Sequence, residues 1–114
     1  SSSIIQRYNG TTSKGIDIAG TQGQQIRSAG AGTVIYVGEE VRGYGKLILI
    51  SHNDYTITAY AHNDTLLVQK DQKVQAGQVI ATMGSSDTDS VKLHFEVRLN
   101  GKAVDPLPYL TRTN

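Results

Sequence analysis

The sequence predicts an all-β domain whose strands are mostly antiparallel and form one or two sheets. Twelve glycines are spread at short intervals, with β-branched runs between them. This pattern is typical of many short strands joined by tight turns. No long window of the sequence shows the period of an amphipathic helix. A chain of 114 residues is expected to form a single domain with its own core.

Five segments have the alternation or the apolar character of strands: Gly32–Val37, Lys46–Ser51, Tyr55–Ala61, Val79–Met83 and Leu93–Leu99. Residues 52–54 are predicted to form the hairpin loop between the second and third of these. Asn100-Gly101 is a strong turn signal, so residues 102–104 should pair back on the last strand. The second segment is apolar on both faces and should be a central strand. Residues 106–110 are predicted to form an extended tail.

Two of these strands are predicted to have one half-polar face each. In the last strand the charged side chains share one side, and in the third strand a set of polar side chains does so. We expect the two faces to form the floor of one groove. Their residues are Lys92, His94, Glu96 and Arg98 on one strand, and Thr56, Thr58, Tyr60 and His62 on the other.

Composition excludes several classes of function. A net charge of +1 gives no strong field for nucleic acid or an anionic membrane, so we expect neither as a partner of this domain. The sequence has no cysteine, which excludes a disulfide framework and a thiolate metal site. No apolar run approaches the roughly 20 residues of a spanning helix. Residues 1–9, which begin with three serines and hold no signal peptide, are expected to be a linker or a cloning remnant before a domain at 10–114.

Taken alone, the three histidines give only a weak signal for a metal site. His52 lies in the predicted hairpin loop, where a solvated turn residue is the simplest interpretation. His62 and His94 each fit a hydrogen-bonded surface histidine as well as they fit a ligand. Together with Asp17 they are dispersed along the chain, and such spacing does not by itself indicate zinc.

Several short motifs in a fixed order carry more information than any one residue. They are Asp17-Ile18-Ala19, Gly32-Thr33-Val34, Gly43-Tyr44-Gly45, Tyr60-Ala61-His62, Gly77-Gln78-Val79-Ile80, Met83-Gly84-Ser85 and Leu93-His94-Phe95-Glu96. In order and spacing they resemble the lysostaphin-like (LytM) metallopeptidase domain, from about Gly10 to Leu110. The resemblance implies mostly antiparallel sheets around a central groove.

The resemblance also shows where the chain departs from a working peptidase. The family's zinc ligands fall on Ser13, Asp17 and His94, and its two further catalytic histidines fall on His62 and Lys92. Active members use zinc and these histidines to cut peptide crosslinks in peptidoglycan. A serine hydroxyl is a poor zinc ligand, and a lysine is protonated at neutral pH. We therefore expect no catalytic residue, metal or cofactor, and we expect Lys92 to pair with Asp17.

Within the family, the segment Val41–Ile50 and the short loop Ser85–Val91 resemble members that activate a cell-wall amidase. This implies a non-catalytic activator that binds a periplasmic N-acetylmuramoyl-L-alanine amidase and relieves its autoinhibition while peptidoglycan is split in cell division. It also implies a periplasmic domain of a lipoprotein anchored to the outer membrane, with peptidoglycan as a further ligand to test.

We predict a partner-binding groove, with Tyr44 as an aromatic anchor because two glycines hold it on a tight loop. Its residues are Ser13, Asp17, Tyr44, Tyr60, His62, Lys92, His94 and Arg98. A passive peptidoglycan-binding module is the main alternative, and a zinc endopeptidase with unusual ligands is another. A lipoyl or biotinyl carrier fits the segment 74–81, but the expected attachment lysine is missing from residues 81–84.

Overall fold

The computed structural model describes residues 4–110, which form ten strands and one short helix and confirm the all-β prediction. The elements are β1 (Ile4–Gln6), β2 (Ile16–Ala19), β3 (Gln25–Arg27), β4 (Gly32–Gly38), β5 (Lys46–Ser51), β6 (Thr56–Leu66), β7 (Lys73–Val74), β8 (Val79–Met83), β9 (Lys92–Leu99), β10 (Lys102–Val104) and α1 (Leu107–Leu110). This part of the chain contains no helix that is both long and apolar enough to cross a membrane.

The strands pair in the order β1-β2-β9-β6-β5-β4-β7, and each pairing in this part of the chain is antiparallel. β10 pairs with β9, while β8 pairs with both β3 and the far end of β6. The long strand β6 therefore connects two regions of the sheet. Its neighbour β9 lies between β6 and β2, so that three adjacent strands bring distant parts of the sequence together.

The five predicted strands are confirmed, with ends that differ by at most one residue except at β6, which continues five residues beyond the predicted Ala61 to Leu66. β5 lies between β4 and β6, as its two apolar faces indicated. The hairpin between β5 and β6 is closed by Asn53, whose side-chain oxygen accepts hydrogen bonds from the amides of Tyr55 and Thr56 at 3.0 and 2.9 Å. The β9–β10 turn places Asn100 and Gly101 at φ 53° and 81°, the left-handed conformations that this dipeptide tolerates.

The short strands β1, β2, β3 and β7 were not predicted, because two to four residues are too few to show alternation. β1 lies within residues 1–9, the segment expected to be a linker, yet it pairs with β2. The tail after Pro106 also differs from the extended prediction. It turns into α1, where the Asp105 side chain caps the first turn by accepting from the Leu107 amide at 3.1 Å.

The sheet packs its two faces differently. The main core lies on one face and contains Ile16, Ile48, Ile50, Tyr60, Ile80, Phe95 and Val97 among other buried residues. A smaller cluster on the other face contains Leu47, Ala59 and Ala61, with Tyr44 packed against it. Two alanines on this face of β6 leave space above the sheet. That space is where the functional groups collect.

Gly15 should be a sensitive position, because a Cβ added there would lie 2.2 Å from the Phe95 carbonyl oxygen. We expect Gly15→Ala to lower the free energy of unfolding by about 2–3 kcal/mol, since β2 would have to move away from β9. Gly23→Ala is the control, because Gly23 has φ +86° and no atom near an added Cβ. It should cost only the left-handed conformation, about 1 kcal/mol. Equal losses in chemical denaturation would contradict the steric explanation.

Candidate functional site

The site is a groove of about 440 Å³ above β2, β6 and β9. Loop 41–45 forms one wall, and the turn before β2 forms the other. The lining residues are Gln6, Thr12, Ser13, Lys14, Asp17, Gly43, Tyr44, His62, His94 and Glu96. The groove therefore contains five of the eight residues predicted from the sequence, and polar side chains dominate its floor.

His94 lies at the centre of the groove floor between two carboxylates. The register of β2 and β9 places Asp17 opposite His94, and the Nδ1–Oδ1 distance is 2.6 Å. On the other side, Nε2 lies 2.7 Å from Oε2 of Glu96, two residues along the same face of β9. Both ring nitrogens therefore carry hydrogens and donate to carboxylate oxygens.

This geometry keeps the imidazole of His94 charged. Burial alone would lower the pKa of His94, but the hydrogen bonds and negative charges of Asp17 and Glu96 outweigh it and raise the pKa from 6.5 to about 9. The same bonds hold the pKa of the Asp17 carboxyl below its ordinary value, against the opposing effect of burial. At neutral pH the three groups form an imidazolium between two carboxylates.

Glu96 anchors this network from below the groove floor, where only 1% of its surface is exposed. Its Oε2 also accepts a hydrogen bond from the Tyr44 hydroxyl at 2.7 Å, and its Oε1 accepts one from Nε of Arg98 at 2.8 Å. Burial would raise the pKa of Glu96, but the donors His94, Tyr44 and Arg98 lower it overall. Alternation with His94 placed Glu96 on the predicted groove floor, but Glu96 was not among the eight predicted partner-binding residues.

Lys92 pairs with Asp17, as the sequence analysis expected. Its Nζ lies 3.7 Å from Oδ2 of Asp17, and a second contact of 3.8 Å joins it to Asp89. The side chains of Lys92 and Asp17 are only 17% and 16% exposed, so solvent screens this pair less than a surface ion pair. The Asp17 carboxylate thus faces the His94 imidazolium through one oxygen and the ammonium through the other.

Ser13 lies at the edge of the groove but turns its hydroxyl away from the carboxylates. Its Oγ donates to the Gly15 carbonyl at 2.9 Å, and the side chain is buried. The Asn9 side chain fixes the turn before it by accepting hydrogen bonds from the amides of Thr11, Thr12 and Ser13. The Ser13 hydroxyl therefore stabilises the backbone turn before β2.

His62 reaches the groove through a break in the alternation of β6. Its φ of 67° lies in the left-handed region, and the β5–β6 register shifts between Lys46 and Ile48, near the point where Lys46 pairs with Asn63. The ring of His62 lies 6.1 Å from the ring of His94, centroid to centroid. Without this irregularity His62 would follow Tyr60 toward the core.

The prediction that Tyr60 belongs to the groove was wrong. Tyr60 pairs in register with Phe95 and packs against it in the main core, with ring centroids 5.4 Å apart. Its hydroxyl accepts from the Ala29 amide at 3.0 Å and lies 2.7 Å from the Thr58 hydroxyl. Simple alternation put Tyr60 and His62 on one face, and the left-handed residue separates them.

Three further expectations need adjustment. His52 is half-buried rather than a solvated turn residue, since Nδ1 lies 2.7 Å from the Ala31 carbonyl and Nε2 lies 2.7 Å from the Thr58 hydroxyl. Arg98 lies beside Glu96 on the same face of β9 but does not line the groove. Lys92 likewise does not line the groove, and its ammonium pairs with the Asp17 carboxylate. These cations support the groove rather than form its surface.

The side chains present do not fit the zinc ion that active peptidases of this fold hold. Zinc requires about three protein ligands with free lone pairs. The His94 nitrogens both donate to carboxylates, the Ser13 hydroxyl donates to a carbonyl, and the Lys92 ammonium lies against Asp17. Within residues 4–110, no group of three or more His, Cys, Asp or Glu side chains is arranged to hold a metal.

Comparison with known families agrees with the fold. The model of "Peptidase family M23" matches residues 11–106. The chain belongs to peptidase family M23. The catalytic domain of lysostaphin from Staphylococcus simulans has the same fold as this M23 domain, with a TM-score of 0.82 and 25% identity over 93% of this chain and 86% of that one. The resemblance to the lysostaphin-like family is thereby confirmed.

Two curated relatives are more similar to the M23 domain in sequence. Outer membrane antigenic lipoprotein B of Haemophilus influenzae is 55% identical over 114 residues, which cover 98% of this chain and 28% of that protein. Murein hydrolase activator NlpD of Escherichia coli is 60% identical over 97 residues, which cover 85% of this chain and 26% of that protein. The chain thus spans less than a third of the length of either relative.

The charged state of His94 should make the stability of the domain depend on pH. A pKa raised in the folded state contributes stability that is complete below the unfolded value of 6.5 and is lost as pH rises through about 9. Between these limits we expect the free energy of unfolding to fall by on the order of 2–3 kcal/mol. Urea titrations at several pH values measure this slope. His94→Gln should flatten it, and equal slopes for both proteins would contradict the assignment.

Proposed function

We propose that this M23 domain is a non-catalytic activator of a peptidoglycan hydrolase. Its groove binds a periplasmic N-acetylmuramoyl-L-alanine amidase and relieves the autoinhibition of that enzyme during the splitting of peptidoglycan in cell division. The observation that carries the proposal is the ion network on the groove floor. In this network His94, Asp17, Lys92 and Glu96 neutralise one another where a peptidase would hold its metal.

The network supports binding without hydrolysis for a specific reason. An imidazole that carries hydrogens on both nitrogens has no lone pair for a metal. Freeing one requires loss of a proton whose pKa is about 9. The ammonium of Lys92 beside Asp17 also opposes a divalent cation at the same place. The groove therefore keeps the shape that receives a peptide but has no means to activate water.

The names of the relatives support the activator role and its location. NlpD of Escherichia coli is named a murein hydrolase activator, and the Haemophilus relative is named an outer membrane lipoprotein. We extend both to the protein that contains this domain, as a periplasmic lipoprotein anchored to the outer membrane. The amidase as partner rests on the resemblance of Val41–Ile50 and the loop Ser85–Val91 to amidase activators.

Activation in this scheme requires only preferential binding. An amidase blocked by one of its own segments exists in closed and open forms, and a protein that binds the open form shifts the equilibrium. A change from 1:99 to 99:1 needs a preference of roughly 5.5 kcal/mol. A groove of about 440 Å³, walled by Tyr44 on one side, offers the concave surface that an extended or helical segment needs.

Restoring the missing histidines should restore metal binding. We expect the domain to retain no stoichiometric zinc, whereas Ser13→His combined with Lys92→His should bind about one equivalent. Ser13→His adds a third ligand to Asp17 and His94, and Lys92→His removes the ammonium beside Asp17. Metal analysis after dialysis measures this, and a murein turbidity assay tests for hydrolysis. A dialysed wild-type domain that holds zinc and clears murein would show that the domain is a peptidase.

Tyr44 should contribute to partner binding, because its ring forms a wall of the groove and its hydroxyl is held by Glu96. We expect Tyr44→Ala to weaken binding of the amidase by about 1–2 kcal/mol in titration calorimetry. Tyr44→Phe separates the ring from the hydroxyl. Tyr55→Ala is the matched control, since Tyr55 is 55% exposed and lies at the distant β5–β6 hairpin.

The same titrations distinguish the amidase from peptidoglycan as the ligand. Purified murein sacculi in a pull-down assay provide the second arm. Binding of the amidase that Tyr44→Ala weakens and Tyr55→Ala leaves unchanged would support the activator. Binding of sacculi alone would replace it with the passive peptidoglycan-binding module.

A further inference from the structure

We propose that Nε2 of His62 is a hydrogen-bond acceptor for the bound partner, and that it receives a neutral N–H or O–H donor. The donor would be a backbone amide, a hydroxyl or a side-chain amide of the partner segment, and not an ammonium or a guanidinium. This inference rests on the proposed function, because it assumes that a partner segment enters the groove. It adds the chemistry by which that segment is recognised.

The tautomer of His62 follows from its contact with the loop before β9. Nδ1 lies 2.9 Å from the backbone carbonyl oxygen of Ser86. A carbonyl oxygen can only accept, so Nδ1 carries the hydrogen, and in the neutral ring Nε2 must then be the acceptor. Burial lowers the pKa of His62 below 6.5 despite the bond to Ser86, and the charges of His94 and Lys92 act in the same direction. The ring is therefore neutral at pH 7.

Nε2 of His62 is left without a hydrogen-bond partner among residues 4–110. Nε2 is not fully buried. Within the same range, the fully buried side-chain nitrogen or oxygen that lacks a hydrogen-bond partner is Oδ1 of Asn63, and Nε2 of His62 is not in that class. Only 6% of the His62 surface is exposed, and the residue lines the groove. A largely buried ring with one acceptor that can still be reached from the groove is placed to receive a donor from a ligand there.

The backbone holds this acceptor in place before any ligand arrives. The His62 amide donates to the Tyr44 carbonyl at 2.8 Å, and its left-handed φ of 67° fixes the direction of the side chain. Ser86 in turn is tied to β5 and β6, since its Oγ accepts from the Lys46 amide and donates to the Asn63 carbonyl. Little freedom is lost when a partner donor meets a ring that is already fixed.

The other polar groups of the groove floor are already engaged with one another. Both nitrogens of His94, both oxygens of Glu96 and the hydroxyls of Tyr44 and Ser13 have internal partners. On the floor an incoming segment therefore meets the unpartnered acceptor of His62, rather than the cation that a peptidase would present, while Gln6 and Thr12 add polar groups elsewhere in the lining. The chemistry of the floor favours a segment that brings a donor to this point.

Charge decides which donor is suitable. The His94 imidazolium lies 6.1 Å from the His62 ring, and the Lys92 ammonium lies beyond it against Asp17. Both positive charges lower the pKa of His62, and the negative charge of Asp17 acts in the opposite direction. A cationic donor would be repelled there, whereas a neutral donor pays no such cost.

Nitrogen NMR of the histidine-labelled domain tests the acceptor directly. In the free protein we expect His62 to be the neutral Nδ1–H tautomer. On addition of the amidase, Nε2 should shift in the direction of an accepted hydrogen bond without becoming protonated. A free protein in which Nε2 carries the hydrogen would overturn the proposal at once, whatever binds to the groove.

Two variants extend the test to affinity. His62→Phe keeps a ring but removes the acceptor, and it should weaken amidase binding about tenfold or more, the value of one buried hydrogen bond. His62→Gln offers an amide oxygen near the position of Nε2, so it should retain affinity to within about threefold. Equal affinity of His62→Phe and wild type, with an unshifted Nε2 signal, would refute the acceptor role.

Soluble muropeptides provide the second probe and separate the two proposals. If muropeptides shift Nε2 and the amidase does not bind, the acceptor stands and the amidase is not the partner. If the amidase binds without moving Nε2, the activator stands and the acceptor falls. If neither probe binds the wild-type domain, both proposals fall.

Discussion

The buried carboxylate of Glu96 is the constraint around which the groove is organised. An ionised carboxylate removed from water is costly unless donors replace the lost hydration. Here three donors do so, from His94, Tyr44 and Arg98. His94 lies on the groove floor, Tyr44 in its wall, and Arg98 beside Glu96 on β9 outside the lining. Satisfying one buried charge therefore fixes the positions of all three.

The arrangement also shows how a metal site and an ion network can share one framework. Two carboxylates that face a common point need positive charge between or beside them. In this chain that charge comes from the imidazolium of His94 and the ammonium of Lys92, which is 3.7 Å from Asp17. Both cations are covalently part of the protein. The geometry of the groove therefore does not depend on a bound ion.

The strand irregularity at His62 contributes the second half of the site. A regular β6 would direct Tyr60 and His62 to the same side, and the groove would lose His62. The left-handed residue reverses the face while the register of β5 and β6 shifts nearby. Bulges and similar irregularities occur frequently next to functional sites, where they redirect a side chain. Here the irregularity leaves a fixed ring with one acceptor open to the groove.

The sequence by itself determined the longer strands and the residue types that do not suit a zinc ion. Alternation, turn dipeptides and glycine spacing predicted the long strands, and the residue types Ser13 and Lys92 indicated that zinc would not fit. The tertiary structure decided what replaces the metal and which face each β6 side chain occupies. Pairwise distances across strands depend on register, and a single left-handed residue reverses the faces that a period of two assigns. For that reason the burial of Tyr60 and the central role of Glu96 became visible only in the folded chain.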